Sequence, residues 1–208
     1  PKGVMLSHHN ILSNIESLRM VFNQAPKDNL CSALPFFHSL GFTASLWYPL
    51  LSGLPVIYHA NPLDAAKIAQ VVREKQSTMI FATPTFLALY LRKAEAEDFK
   101  SLKYVVVGAE KMKPGLAADF EAKFGLRPLE GYGATELSPV ATLSIPHVTA
   151  GGVTQAGWKE GSVGLPLPGI AARLVHPETG QPLPPGEAGL LLIKGPNVMT
   201  GYLNQPEK

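Results

Sequence analysis

Up to about Ala141, the hydrophobic positions alternate between the spacing of a helix face and short continuous runs. Ser7 is a good N-cap residue, so the first helix is predicted to begin there. The apolar residues that follow recur at the spacing of one helix face; they are Ile11, Ile15, Leu18 and Phe22. Four more helices are predicted in the same way: Phe42–Leu51, a segment capped by Asp64 with Ile68, Val71 and Val72 inward, Thr85–Ala94 after Pro84, and a segment from Pro114 to Gly125 with Leu116, Phe120 and Phe124 on one face.

Short apolar runs between these helices have the character of buried strands. They are Leu30–Leu34, Pro55–Ala60, Met79–Ala82, Tyr104–Val107 and Arg127–Leu129. Strands that are apolar throughout are typical of a mostly parallel sheet with helices on both faces, so we predict an α/β fold. Ligands in such sheets bind at the carboxyl ends of the strands. Three loops are therefore expected to lie close together: Pro35–Gly41, Gly108–Lys113 and Glu130–Glu136.

Beyond Pro146 the pattern changes. Two glycine-rich stretches, Gly151-Gly152 and Gly157–Gly161, indicate a mobile loop. The stretch from Val163 to Lys194 then has the pattern of an appended β subdomain, with predicted strands at Ala171–Val175 and Leu190–Lys194 and turns at His176–Gly180 and Pro182–Gly186. We therefore divide the chain into an α/β part, residues 1–145, which carries the expected binding loops, and a loop with a β subdomain, residues 146–208.

Composition and charge narrow the classes of function. The 208 residues are 46% hydrophobic and 16% charged, with a formal net charge of +2. The basic residues are scattered, so nucleic-acid binding is not indicated. No apolar run reaches the roughly 18–20 residues that a membrane helix needs. Cys31 lies in an apolar run and is expected to be a buried structural thiol in a reducing compartment. We expect the two ends, Pro1-Lys2-Gly3 and Pro206-Glu207-Lys208, to be cuts through a longer protein.

The segment with the most chemistry is Glu130-Gly131-Tyr132-Gly133-Ala134-Thr135-Glu136. Glycines let a backbone approach a ligand closely. An aromatic ring between them can stack on a base, a hydroxyl can reach a phosphate, and an acid can hold Mg²⁺. A glycine-rich turn with an incidental acid is the alternative interpretation of the same residues.

The pattern Tyr-Gly-x-Thr-Glu resembles the central fingerprint of the adenylate-forming superfamily, which includes acyl-CoA synthetases, luciferases and peptide-synthetase adenylation domains. Other segments are similar to motifs of that superfamily and occur in its order. They are Pro1-Lys2-Gly3-Val4 followed by Ser7-His8-x-Asn10, then Pro35-Phe36-Phe37-His38-Ser39, Gly108-Ala109-Glu110, and Gly195-Pro196-Asn197-Val198-Met199-x-Gly201-Tyr202. Four ordered motifs that span nearly the whole chain are far more specific than any one of them.

Three longer runs are most similar to the acyl-carrier-protein (ACP) synthetase half of bifunctional 2-acylglycerophosphoethanolamine acyltransferase/acyl-ACP synthetases. They are Tyr104–Lys111, Phe124–Gly133 and Gly195–Leu203. This resemblance implies a fatty acid as substrate and ACP as thiol acceptor, with CoA as the alternative acceptor. It also implies a longer protein on the cytoplasmic side of a bacterial inner membrane.

The superfamily resemblance also implies a role for individual residues. Tyr132 stacks on adenine, while Gly108, Ala109, Glu110, Glu130, Gly131 and Gly133 shape the nucleotide pocket. Thr135 binds the α-phosphate of ATP or AMP, and Glu136 is the Mg²⁺ ligand. Lys2 contacts the β- and γ-phosphates, and His38 lies between the nucleotide and acyl sites. Phe42, Trp47 and Thr83–Thr85 are candidates for an acyl pocket, although apolar helix residues are core residues by default.

The implied reaction has two steps. A carboxylate attacks the α-phosphorus of ATP and displaces pyrophosphate, and a thiol then attacks the acyl carbon and releases AMP. The superfamily also uses an Asp on the ribose and a C-terminal domain with a catalytic Lys, and we expect both to lie outside these 208 residues. The chain alone is accordingly expected to bind nucleotide weakly and not to turn over.

Two other classes of function fit the sequence less well. A non-catalytic nucleotide-binding module keeps the fold without the chemistry, and the Thr135-Glu136 pair argues against it. A dinucleotide-binding dehydrogenase needs G-x-G-x-x-G after a strand, and Gly108-Ala109-Glu110-Lys111 lacks the second and third glycines. Within the enzyme class, a CoA ligase for fatty or aromatic acids is the alternative to an acyl-ACP synthetase.

Overall fold

A computed structural model describes residues 2–205 and residue 207. Pro1, Pro206 and Lys208 lie outside the described residues, and with them the first residue of the phosphate-loop match and part of the expected C-terminal cut. The helices are α1 His8–Val21, a π-helix Gly41–Trp47 continued by α2 Tyr48–Ser52, α3 Ala65–Lys75, α4 Pro84–Lys93 and α5 Leu116–Phe124, with short 3₁₀ turns at Ala96–Phe99 and Thr135–Leu137.

The strands are short and numerous. They are β1 Val4–Met5, β2 Leu30–Ser32, β3 Val56–Tyr58, β4 Met79–Ala82, β5 Tyr104–Val107, β6 Leu129–Gly133, β7 Val140–Leu143, β8 Val148–Ala150, β9 Val153–Gln155, β10 Leu165–Pro166, β11 Ala171–Val175, β12 Leu190–Lys194 and β13 Gly201–Tyr202. A seven-stranded sheet in the order β10-β7-β6-β5-β4-β2-β3 forms the centre of the fold. Its strands β3, β2, β4, β5 and β6 run parallel, whereas β7 and β10 are antiparallel to their neighbours. The predicted α/β fold with a mostly parallel sheet is confirmed.

Two apolar clusters cover the two faces of this sheet. One joins α3, α4 and α5 to the sheet and includes Ile68, Leu87 and Phe120. The other joins α1 and the π-helix to the sheet and includes Leu18 and Phe22. Cys31 in β2 is fully buried, and burial raises the pKa of its thiol to about 11. It is therefore a protonated core thiol at neutral pH, as predicted.

Local capping explains where most helices begin. Ser7 and Asn10 form a reciprocal capping box, and the side chains of Asp64 and Thr83 cap α3 and α4. The prediction that Pro114 begins a helix was wrong by two residues. Gly115 is the N-cap of α5, with φ +80°, and Pro114 lies in the preceding turn.

The region after residue 145 differs from the prediction in one respect. The expected mobile loop contains a β-hairpin, in which β8 and β9 pair antiparallel around Gly151-Gly152. Both glycines have positive φ, which this tight turn requires. The predicted strands Ala171–Val175 and Leu190–Lys194 are confirmed as the antiparallel pair β11 and β12. Because β10 pairs with β7 and β13 with β1, this region shares sheets with the first, and the division at 145/146 stays a prediction.

Candidate functional site

The three loops that were expected to meet do meet, at the carboxyl ends of the parallel strands. They surround a cavity of about 170 Å³ between the π-helix and strands β5 and β6. Its rim consists of His38, Ser39, Gly108, Ala109 and the segment Gly131–Thr135. Seven of the predicted site residues therefore line one cavity: His38, Gly108, Ala109, Gly131, Tyr132, Gly133 and Thr135.

The deeper part of the cavity is apolar. It is lined by Leu18 of α1, by Phe22 directly after that helix, by Phe81 of β4, and by Val140 and Leu143 of β7. Phe22 is held by edge-to-face contacts with Tyr48 and Tyr104, at 6.0 and 5.2 Å between ring centroids. The cavity thus has a polar rim of glycines and hydroxyls above an apolar floor. This is the form of a site for a small molecule with one polar and one apolar end.

Phe42, Trp47 and Thr83–Thr85, the candidates for an acyl pocket, do not line this cavity, and their part in such a pocket stays a prediction. Phe42 and Trp47 contact each other edge to face, with centroids 6.1 Å apart. Thr83 is occupied as the cap of α4. The segment Gly41–Trp47 is a π-helix, whose wider turn points successive side chains in directions that the α-helical spacing does not give.

The fingerprint, which was expected to be a loop, begins as strand β6 and ends in the 3₁₀ turn. It lies flat against β7 because its glycines carry no side chains. A Cβ on Gly133 would stand 2.0 Å from the carbonyl oxygen of Pro139, so no other residue fits there. Tyr132, between the glycines, lines the cavity and is 39% exposed, so its side chain is accessible to a ligand.

Gly108 differs from Gly133. A Cβ at Gly108 would meet only the carbonyl oxygen of Gly131, at 3.5 Å, and a methyl of Leu40, at 3.9 Å. These are ordinary van der Waals distances, so the fold does not require a glycine here. A side chain would extend into the cavity instead. The neighbouring Ala109 has φ +70°, a left-handed conformation that costs a non-glycine residue roughly 1–2 kcal/mol. Strain of this kind is concentrated at functional sites.

Two acidic residues of the predicted site point away from the cavity. Glu110 accepts a hydrogen bond from the Thr85 hydroxyl at 2.6 Å, which ties the loop after β5 to the start of α4. Glu130 lines a second cavity, of about 300 Å³, with Met112 and Trp158. Burial raises the pKa of the Glu130 carboxyl, against the opposing effect of the Met112 N–H. Their part in shaping a base pocket stays a prediction.

Thr135 and Glu136 follow the fingerprint tyrosine. Thr135 donates its hydroxyl to Ser39 at 3.3 Å and so connects β6 to the His38 loop. The Glu136 carboxylate accepts a hydrogen bond from the Tyr202 hydroxyl at 2.6 Å. That bond and the backbone N–H of Glu136 hold the pKa of this carboxyl below its usual range, and Lys2 contributes in the same direction. Glu136 is therefore ionised at neutral pH.

Glu136 suits a metal that arrives with a nucleotide. Within the described residues, no group of three or more His, Cys, Asp or Glu side chains could hold a metal ion by itself. Mg²⁺ commonly takes one or two carboxylates and fills its other positions with phosphate oxygens and water. A single ionised carboxylate directly after the rim residue Thr135 fits that donor set. When bound, the ion neutralises charge on the phosphates.

Three asparagines that the site prediction did not include bond to backbone near the site: two of them bind residues that follow the fingerprint, and the third binds the motif Gly195–Tyr202. Asn14 donates to the carbonyl of Val140 at 2.6 Å and accepts from its N–H at 3.2 Å. Asn197 donates to the carbonyl of Leu137 at 2.8 Å. Asn10 donates to the carbonyls of Pro196 and Val198. Asn10 and Asn197 belong to motifs visible in the sequence, but their contacts join segments more than fifty residues apart, which local patterns do not reveal.

Known proteins are similar to this chain over nearly its whole length. The family described as AMP-binding enzyme matches residues 1–203. The chain is 33% identical over 214 residues to a long-chain-fatty-acid–CoA ligase of Bacillus subtilis (strain 168), covering 100% of the chain and 36% of that ligase. It is also 33% identical over 211 residues to a feruloyl-CoA synthase of Amycolatopsis sp, covering 100% of the chain and 40% of that enzyme.

Solved structures give the same result. ATP-bound MatB from Rhodopseudomonas palustris superposes with a TM-score of 0.85 at 29% identity, covering 99% of the chain and 39% of MatB. The O-succinylbenzoate CoA synthetase of Bacillus subtilis in complex with ATP and magnesium superposes with a TM-score of 0.83 at 26% identity, covering 100% of the chain and 41% of that enzyme. The chain thus spans about two fifths of the length of these relatives. Among the described residues, no helix has the length and hydropathy of a membrane span. On the match over residues 1–203, the chain belongs to the AMP-binding enzyme family.

Proposed function

We propose that this chain provides the acid pocket and much of the nucleotide site of an enzyme that activates a carboxylic acid with ATP. The observation that carries this proposal is the single cavity with an apolar floor at Phe22 and Phe81 and a rim at Gly131–Thr135. An apolar acid placed with its tail on the floor has its carboxylate at the rim, beside Tyr132 and Thr135. Relatives that are ligases and structures with bound ATP support the same assignment.

In the first step, a carboxylate oxygen attacks the α-phosphorus, the bond from that phosphorus to the bridging oxygen breaks, and pyrophosphate leaves with the electron pair. The chemistry requires two anions to be held in line and their charge to be neutralised. The Tyr132 ring stacks on the base, the Thr135 hydroxyl donates to an α-phosphate oxygen, and Lys2 supplies a positive charge. Glu136, which directly follows the rim residue Thr135, would hold the metal that accompanies ATP, and that ion would neutralise charge on the phosphates.

The second step transfers the acyl group to a thiol. The sulfur attacks the acyl carbon, the bond to the phosphate oxygen breaks, AMP leaves and the thiol loses its proton. CoA as the acceptor is supported by relatives that are CoA ligases. ACP as the acceptor is supported by the similarity of Tyr104–Lys111 and Gly195–Leu203 to acyl-ACP synthetases.

The two acceptors are separated by one comparison, made on the protein at its natural full length. The protein is supplied with ATP, Mg²⁺ and a fatty acid, and then with either CoA or holo-ACP at equal concentration. Faster formation of acyl-CoA assigns the protein to the CoA ligases. Faster loading of ACP supports the finer resemblance. AMP release that does not depend on the acid would contradict both.

The acid pocket is tested at Gly108. A cavity of about 150 Å³ is enough for a benzene ring, so this one suits a single ring or a medium-length chain. Gly108→Ala should weaken the binding of octanoate, and Gly108→Val should weaken it further, because the added methyl groups extend into the cavity. Both variants should remain folded. Binding is followed by saturation-transfer NMR. Equal octanoate binding by wild type and Gly108→Val would contradict the assignment of this cavity.

A further inference from the structure

The side chains of Glu136, Tyr202 and Lys2 come from distant parts of the chain and form one cluster. Tyr202 of β13 donates its hydroxyl to Oε1 of Glu136 at 2.6 Å, across 66 residues of sequence. The ammonium group of Lys2 lies over the Tyr202 ring, with Nζ 4.7 Å from the centroid. The cluster therefore combines a cation, a neutral donor and the carboxylate that we assign to the metal.

The backbone fixes the position of Tyr202 independently of its hydroxyl group. Strand β13 pairs with β1, opposite Val4 and Met5. Thr200 donates both its N–H and its hydroxyl to the carbonyl of Met5, and Leu203 donates its N–H to Gly3. The N–H of Met199 binds the backbone carbonyl of Glu136 itself at 2.8 Å. The backbone on both sides of the phenol is thus anchored to β1 and to the 3₁₀ turn that carries Glu136.

The hydrogen bond restricts the Glu136 side chain in a useful way. A glutamate on a surface turn has several rotamers, and ordering it on ligand binding costs conformational entropy. Tyr202 engages one carboxylate oxygen, which selects one orientation and leaves the second oxygen for a ligand. A neutral donor does this without cancelling the negative charge, unlike an arginine or lysine partner. Partners of metal ligands commonly act in this way.

We propose that Tyr202 is a positioning residue, which holds the Glu136 carboxylate ready for the metal that accompanies ATP, and that Lys2 stabilises the Tyr202 ring in that place. The inference rests on the proposed function. No residue of the motif Gly195–Tyr202 lines the cavity, so the cavity alone gives this motif no role. The positioning of Glu136 by Tyr202 gives it one.

The test compares how much Mg²⁺ strengthens ATP binding to the 208-residue chain and its variants. For each protein, ATP is titrated with and without Mg²⁺, and the ratio of the two dissociation constants is the magnesium enhancement. Tyr202→Phe keeps the ring and the contact with Lys2 but loses the hydroxyl. We expect it to reduce the enhancement by about 10-fold, the lower end of what loss of such a partner costs.

Two further variants separate positioning from a purely structural role. Tyr58→Phe removes a comparable hydrogen bond, from the Tyr58 hydroxyl to the carbonyl of Ser45 at 2.8 Å, and should leave the enhancement unchanged. In a Glu136→Gln background, Tyr202→Phe should produce no additional change, because a residue that acts only through Glu136 has nothing left to position. Both tyrosine variants should lose similar, small amounts of thermal stability.

Two results would overturn the inference while the proposed function stands. One is a magnesium enhancement in Tyr202→Phe that equals the enhancement in the wild type. The other is a further loss when Tyr202→Phe is added to Glu136→Gln, which would mean that the phenol acts on the nucleotide directly. A wild-type chain that binds ATP with no magnesium enhancement would overturn the metal assignment of Glu136 and, with it, the positioning role. A chain that does not bind ATP at all would overturn the proposed function.

Discussion

Glu136→Gln should reduce acid-dependent ATP–pyrophosphate exchange by about two orders of magnitude or more, a loss comparable to that of other preorganised electrostatic groups in active sites. The substitution keeps the volume of the side chain and its ability to accept the Tyr202 hydrogen bond. It removes the negative charge that a magnesium ion needs. The exchange is measured on the protein at its natural full length, with a fatty acid and labelled pyrophosphate.

The control for this variant is Glu97→Gln, which makes the same chemical change at a surface position, where Glu97 forms an ion pair with Lys100. It should exchange at the wild-type rate. Circular dichroism and thermal unfolding should show both variants folded, because Glu136 contributes no buried ion pair. Exchange by Glu136→Gln at the wild-type rate would remove the magnesium assignment from this residue.

Gly133→Ala should destabilise the protein by about 3 kcal/mol or more, because it places a methyl group against backbone with nowhere to move. The new Cβ would lie 2.0 Å from the carbonyl oxygen of Pro139 and 2.9 Å from its carbon. Relief requires β6 and β7 to separate where their pairing is already irregular, between Tyr132 and Gly133. The free energy of unfolding is measured by urea denaturation.

Gly108→Ala is the matched control, since it makes the same substitution at the residue directly after the neighbouring strand β5. Its Cβ would have only ordinary contacts, so the change in unfolding free energy should stay within roughly 0.5 kcal/mol. The two variants thus distinguish Gly133, which the fold requires, from Gly108, which only the open space of the cavity requires. Equal stability of the two variants would show that the β6–β7 contact relaxes more easily than this geometry allows.

The central sheet could be predicted because its strands are apolar throughout and its helices have one apolar face. Met79–Ala82 and Tyr104–Val107 were predicted to the residue. The hairpin of β8 and β9 was missed, although its signal is present. Two Val-containing triplets flank Gly151-Gly152, and a two-glycine connection between strands is typical of a hairpin. Every residue of both strands is exposed, so no alternation of apolar and polar positions indicated them.

The sequence motifs predicted most residues at the rim of the cavity, but they did not predict the residues of its floor. Phe22 and Phe81 are both 3% exposed, and their spacing in the sequence is that of ordinary core residues. Periodicity distinguishes inside from outside, and it does not distinguish a packed interior from the wall of a cavity. Tyr202 was missed for another reason. Its contact with Glu136 depends on β13 pairing with β1, a long-range arrangement that no local pattern encodes.

Weak nucleotide binding is expected of this chain alone. Stacking of a base on an aromatic ring contributes about 1–3 kcal/mol, and a millimolar complex needs about 4 kcal/mol. On the proposed assignment, Tyr132 would stack on the base, Thr135 and Lys2 would contact the phosphates, and Glu136 would hold the metal. A dissociation constant of roughly a millimolar is therefore expected, which calls for a method suited to weak complexes.

The most direct test of the proposed nucleotide site is an NMR titration of the isotopically labelled 208-residue chain with Mg²⁺ and ATP, followed through backbone amide shifts. We predict that the largest shifts occur at Gly108, Ala109 and Gly131–Glu136 and that they saturate with a roughly millimolar dissociation constant. We also predict that the shifts at Glu136 and Met199 require Mg²⁺. Shifts confined to the second cavity, at Met112 and Trp158, or no shift at the fingerprint amides when ATP is in millimolar excess, would contradict it.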